Sequence, residues 1–270
     1  MVMSVPEVHL ESARDVAKGP SARGRVAWLG AAGIVLVKLV KSAKFVKFAL
    51  LVASLGALAL NRPIEAAGAI IYAIFVHESG HVLAMKACGI KTSGMYFLPF
   101  LGAVAVSKEP ARTRGQEWLI AIAGPGFGLL SLIPLLGVAY ATGDAQWVGY
   151  AAIAAFINLF NLLPIGILDG GRIVQAIAFS IAGWFGIAVF GLGLALGALV
   201  LLNTAGGVVS LVLVLSVLEF AASWRRHRAN PIPPMRWPGL IGGAAAYLAL
   251  LVLFAFAHES LLAVAKHLTA

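Results

Sequence analysis

Two histidines four positions apart, His77 and His81, enclose a glutamate that follows the first of them, in Phe75-Val-His77-Glu78-Ser-Gly-His81-Val-Leu83. On an α-helix, residues four apart lie about 40° apart around the axis and one turn along it, so both imidazoles can face one zinc ion. Glu78 then stands where a carboxylate can take a proton from a water that such an ion polarises, which is the arrangement of metal-assisted hydrolysis. With six His and eleven Asp or Glu in 270 residues, random placement yields a His-acid-x-x-His about 0.005 times per chain. Chance does not account for it.

A catalytic zinc commonly takes three protein ligands and keeps one position open, so a third ligand is needed. Glu65, at the start of an apolar run, and Glu219, near the basic Trp224–Arg228 segment, read more simply as interfacial residues. Asp169 differs, because it lies in Asn161-Leu-Leu-Pro164-Ile-Gly166-Ile-Leu168-Asp169-Gly170-Gly171, inside a long apolar run. A carboxylate there is costly without a cation, and the flanking glycines let backbone approach closely.

The elements that must position these groups belong to a membrane protein. The chain is 61% hydrophobic and 11% charged, too apolar for the polar exterior of a soluble domain. Apolar runs of about 20 residues, the length that crosses a hydrocarbon layer of about 30 Å, recur along it. The expected fold is an all-α polytopic membrane protein, embedded in a lipid bilayer, with about seven transmembrane helices. The runs are Phe45–Leu60, Ile64–Met85, Glu117–Tyr140, Trp147 to about Ser180, Trp184–Leu202, Gly207–Trp224 and Leu240–Ala257. The fourth is a broken helix, interrupted by Pro164, Gly166 and Asp169-Gly170-Gly171. Irregular backbone at membrane depth persists only where protein buries it or where it lines a wet cavity, so the break marks a functional place. Residues 45–257 thus form the membrane domain, with a catalytic core over about 64–181 and a C-terminal tail over 258–270.

Residues 1–25 read as a polar cytoplasmic tail with no cleavable signal peptide. Residues 26–47 read as a basic interfacial helix: Val26–Val37 is too short to span, and Lys38, Lys41, Lys44 and Lys47 form a slanted stripe suited to an anionic surface. The net charge of +9 is topological rather than a nucleic-acid footprint, since basic residues gather in cytoplasmic loops. The N-terminal tail, the Lys86–Arg114 connection and the Arg225–Arg236 loop are basic, whereas Thr142–Gln146 and Asn203–Gly206 carry no Lys or Arg. That alternation places the N-terminus in the cytoplasm of a multi-pass protein of the plasma membrane. Between the second and third spans, Gly94–Val106 is apolar, rich in aromatic and β-branched residues, and punctuated by Pro99 and Gly102; it reads as a β-hairpin dipping into the membrane. Cys88, the single cysteine, excludes an internal disulfide and reads as a small apolar residue. A second His-Glu-Ser at His258–Ser260 lacks a following histidine and reads as coincidence.

The pairing of His77–His81 with the Asn161–Gly171 motif, in that order and with Ala123-Gly124-Pro125 between them, resembles the site-2 protease family of intramembrane zinc metalloproteases. The likeness covers roughly Ile64 to Arg172. It implies one zinc per chain, held by His77, His81 and Asp169, with Glu78 as general base for hydrolysis of a peptide bond in a transmembrane segment of a protein substrate. It also implies substrate positioning by Asn161, while Asn158 reads as a hydrogen-bonded residue that stabilises the helix break. Gly128 departs from the family pattern, which has asparagine three residues after the proline, and no segment matches a PDZ or CBS module. His81 lies five residues before Lys86, so a helical rise of about 1.5 Å per residue places the metal about 8–12 Å below the cytoplasmic face. Two other readings stand beside this one: a zinc transporter or chaperone with the same ligands, in which Glu78 would have no task, and a membrane zinc protease acting on non-membrane peptides, of the kind whose third ligand is a glutamate on a later helix.

Overall fold

The structure is a computed structural model, and it describes residues 43–99, 102–203, 207–229 and 231–269. The polar tail over 1–25 and the interfacial segment up to residue 42 lie outside the described residues. Two compact units divide the chain, 1–49 and 50–270, and the candidate site belongs to the second.

Helices α1 (Ala43–Ala59), α2 (Ile64–Ala87), α3 (Arg114–Thr142), α4 (Gln146–Asn161), α5 (Asp169–Ile181), α6 (Gly183–Asn203), α7 (Gly207–Ala229) and α8 (Trp237–Thr269) account for most of the described chain. Strands β1 (Thr92–Leu98) and β2 (Gly102–Ser107) form the expected hairpin between α2 and α3. They pair antiparallel, with Met95 opposite Ala105 and Phe97 opposite Ala103. Among the described residues, α2, α3 and Trp237–Leu268 are long and apolar enough to cross a membrane, while Val46–Ala59 and Gly183–Leu199 are shorter apolar helices.

Local chemistry sets the helix ends. Thr113 accepts the Gln116 N–H at 3.1 Å and so caps the start of α3. At its far end Gly143 takes a left-handed conformation, φ 69°, and returns its N–H to the Ala139 carbonyl. The broken fourth run is real: regular helix stops at Asn161, residues 162–168 turn irregularly through Pro164 and Gly166, and helix resumes at Asp169. Proline lacks the N–H that would continue the ladder, which accounts for the stop. The last helix runs on through His258 to Thr269, beyond the apolar run that ends at Ala257.

α2 packs on α3 and α4, α3 on α4 and α5, and α4 on α8. Alanines dominate the contact: Ala69 and Ala73 from α2, Ala121 from α3, and Ala151, Ala154 and Ala155 from α4 are all buried. Lipid tails supply no hydrophobic drive between helices, so small side chains that let backbones approach are what holds such a bundle together. Tyr247 and Phe254 of α8 close this core, and Tyr247 donates its hydroxyl to the Leu162 carbonyl at 2.7 Å. That carbonyl lies in the helix break, where it has lost its helical partner.

Candidate active site

α2 brings His77, Glu78 and His81 to one buried face, and α5 begins with Asp169 directly opposite. His77 Nε2 lies 3.0 Å from Asp169 Oδ2, His81 Nε2 lies 3.2 Å from the same oxygen, and the two Nε2 atoms are 3.1 Å apart. A tetrahedral ion with ligands at about 2.0–2.1 Å has ligand-to-ligand edges of about 3.3 Å. The triangle therefore has the dimensions of one face of a zinc coordination sphere.

The protons on these groups can be placed. His81 Nδ1 faces the Ile120 carbonyl at 2.7 Å, and a carbonyl only accepts, so Nδ1 carries the hydrogen. His77 Nδ1 faces Asn158 Oδ1 at 2.8 Å, while Asn158 Nδ2 donates to the Ala154 carbonyl at 2.9 Å. Turning that amide over would set oxygen against oxygen, so its oxygen accepts from His77. In their neutral forms both rings would present bare Nε2 lone pairs to Asp169 Oδ2, a buried oxygen with no hydrogen-bond partner of its own. Leaving a buried acceptor unpaired costs about 1–3 kcal/mol, and more for a charged group. Three acceptors that converge this way repel one another unless a cation lies among them, and the donor set of two imidazoles and a carboxylate suits zinc.

Glu78 stands beside this triangle, its carboxylate within 4.8 Å of the imidazole ligand atoms. The backbone N–H of Ala105, in β2, approaches this carboxylate. Gly124, in the middle sequence element, explains that element's small residue: a Cβ there would overlap the His81 ring and lie 2.9 Å from His77 Nε2. The break that delivers Asp169 is tied down from two sides. Ile167 donates its N–H to Ser216 Oγ of α7 at 3.1 Å, and Tyr247 of α8 holds Leu162 as described above.

The structure thus brings together His77, Glu78, His81 and Asp169. Asn161, the residue to which the resemblance ascribes substrate positioning, donates to the Ile157 carbonyl one turn back in α4, at 3.0 Å, and is half-buried. Asn158, read from sequence as a support for the helix break, instead meets His77. Its signal was present: an amide in the middle of an apolar helix must find a partner. The second His-Glu-Ser takes no part, since His258 Nδ1 bonds the Ala152 carbonyl at 3.0 Å.

A cavity of about 630 Å³ adjoins the site, lined among others by Met85, Ala105, Lys108, Arg114, Arg172 and Glu219. Met85 is one turn beyond His81, and the Ala105 N–H approaches Glu78, so the cavity reaches the neighbours of the ligands. Its rim is polar at Ser107, Lys108 and Glu109, on the basic connection between α2 and α3.

Residues 65–144 match the model of peptidase family M50, over the stretch that carries His77, Glu78, His81 and Gly124. That match bears out the resemblance to the site-2 protease family over these residues. Two relatives extend the likeness. The protein named "Putative zinc metalloprotease Rip3" from Mycobacterium tuberculosis is 32% identical over 200 residues, which is 70% of this chain and 43% of the relative. "Zinc metalloprotease MJ0392" from Methanocaldococcus jannaschii is 34% identical over 110 residues, 38% of this chain and 31% of the relative. The chain therefore spans less than half the length of these curated relatives.

Proposed function

We propose that the chain is an intramembrane zinc endopeptidase, with His77, His81 and Asp169 as metal ligands and Glu78 as general base. The observation that carries this reading is the triangle of buried ligand atoms, 3.0 to 3.2 Å on a side, with the Glu78 carboxylate next to it. Bound zinc would supply Lewis-acid polarisation of a water and of the scissile carbonyl. The protein's own groups do the rest. Glu78 takes the proton of the attacking water and returns it to the departing amine. Burial of the site excludes competing water, and the 630 Å³ cavity supports a water route from the side of Lys108 and Glu109.

The same reading gives about seven crossings, counting the broken α4–α5 run as one, with the N-terminus and the α2–α3 connection cytoplasmic. A substrate helix satisfies its amides internally and must unwind before a carbonyl reaches the metal. Val104–Ser107 of β2 lines the cavity, and its free edge can take up such an extended segment by β-augmentation. Asn161, on the turn before the break, would contact that segment.

The test is zinc content of detergent-purified protein measured beside cleavage of a single-span membrane substrate. Wild type is expected to carry one zinc and to cut, Glu78→Gln to keep zinc without cutting, and Asp169→Ala to lose the metal. Cleavage by Glu78→Gln at the wild-type rate would remove the general base. Bound zinc with no cleavage of any membrane or soluble substrate would favour a transporter or chaperone instead.

A further inference from the structure

Asn158 and Gly128 face each other across the contact between α3 and α4, behind His77 rather than in front of it. Asn158 is fully buried, with 0% of its surface exposed. Both ends of its amide are committed, the oxygen to His77 Nδ1 at 2.8 Å and the nitrogen to the Ala154 carbonyl at 2.9 Å. A Cβ built on Gly128 would overlap the whole amide group of Asn158, oxygen, carbon and nitrogen alike. The amide has room only because position 128 carries no side chain.

We infer that Asn158 is a positioning residue for the metal centre, acting through His77, and that Gly128 is its obligate steric complement. Fixing the hydrogen on Nδ1 leaves His77 one choice of ligand atom, Nε2, and fixes the plane of the ring. Nδ1 cannot serve in its place, because it already donates to Asn158. His81 receives the same treatment from the Ile120 carbonyl, so each imidazole is oriented by a different helix: His77 from α4 and His81 from α3. The departure of Gly128 from the family pattern is then no loss of a polar contact. It clears the space into which an amide from α4 reaches.

This inference rests on the metal reading of the site, and the test separates the two. Zinc affinity is measured by chelator competition on the full chain in detergent, together with the visible absorption of the Co²⁺-loaded protein and the melting temperature. Asn158→Ala is expected to weaken zinc about 10–100-fold, the usual effect of losing a partner that orients a ligand, and to shift the Co²⁺ bands. Gly128→Ala alone should weaken zinc similarly, by displacing the amide. In the double variant the new methyl occupies the room left by Asn158, so melting recovers while zinc affinity stays low. Asn158→Asp keeps an oxygen acceptor for Nδ1–H and is expected to hold zinc more tightly than Asn158→Ala. In metal-free wild type, ¹⁵N NMR of labelled histidine should show the hydrogen of His77 on Nδ1, assigned by comparison with His77→Gln.

Zinc affinity that recovers along with melting in the double variant would reduce Asn158 to a packing residue and overturn the inference. So would wild-type affinity in Asn158→Ala. Wild type that binds neither zinc nor Co²⁺ would overturn the metal reading itself, whatever the NMR signals show.

Discussion

The block α2–α5 and the hairpin α6–α7 are both apolar helices, yet they treat polar groups in opposite ways. In the first, His77, Glu78, His81, Arg114, Ser131, Asn158 and Asp169 are all buried. In the second, among the residues whose side chains are described, Ser216 is the buried polar group, while Leu192, Val214 and Leu218 face outward, 57 to 71% exposed. The hairpin is held by aromatic packing, Phe190 stacked on Phe220 with ring centroids 4.0 Å apart. Polar atoms in a membrane protein are tolerated where they satisfy one another, and here His77, His81 and Asp169 converge on a point that a cation would complete. The contrast assigns chemistry to α2–α5 and support to α6–α7, with Ser216 as the link between them.

The contrast breaks most sharply at Asp169. Asp169→Ala should abolish zinc binding and with it proteolysis, measured as metal content and cleavage on the same preparation; retained zinc would place the third ligand elsewhere. Glu78→Gln is expected to keep the metal and lose about 100- to 10,000-fold in turnover, the range typical of a missing general base. Removing the link, Ser216→Ala leaves the Ile167 N–H without its acceptor and should cost about 1 kcal/mol of stability, read as a lower melting temperature. A fall in zinc affinity alongside it would show that α7 helps to place Asp169. At the small end, Leu218→Ala on the outward face of α7 should change stability by no more than about 0.5 kcal/mol. A large effect there would mean that this face packs against protein. Orientation is checked independently: Cys88, partly exposed at the end of α2, is expected to react with an impermeant maleimide from the cytoplasmic side alone.

Much of this was legible in the sequence because it depends on local spacing. The four-residue step between His77 and His81 and the Pro164 to Gly171 interruption announce a shared helix face and a helix break, and the glycine-punctuated stretch after Lys91 announces a hairpin. The contact of Asn158 with His77 was not legible because the two lie 81 positions apart, and no periodicity links them. Gly128 looked like a missing contact for the same reason: its meaning is the volume it leaves to another helix. The extension of α8 through Glu259 and Lys266 escaped notice because the capacity to cross lipid and the capacity to be helical are different properties, and polar residues end only the first.

The bond from Tyr247 to Leu162 has a consequence for how the molecule could be assembled. α8 contributes no ligand, yet its hydroxyl occupies a carbonyl that the helix break leaves bare in a dry interior. Helices inserted separately into a bilayer can still find one another when they carry complementary surfaces. A protein cut in the non-helical stretch 231–236 would therefore yield two inactive fragments whose co-expression restores metal binding, and Tyr247→Phe in the smaller fragment would weaken that reassembly.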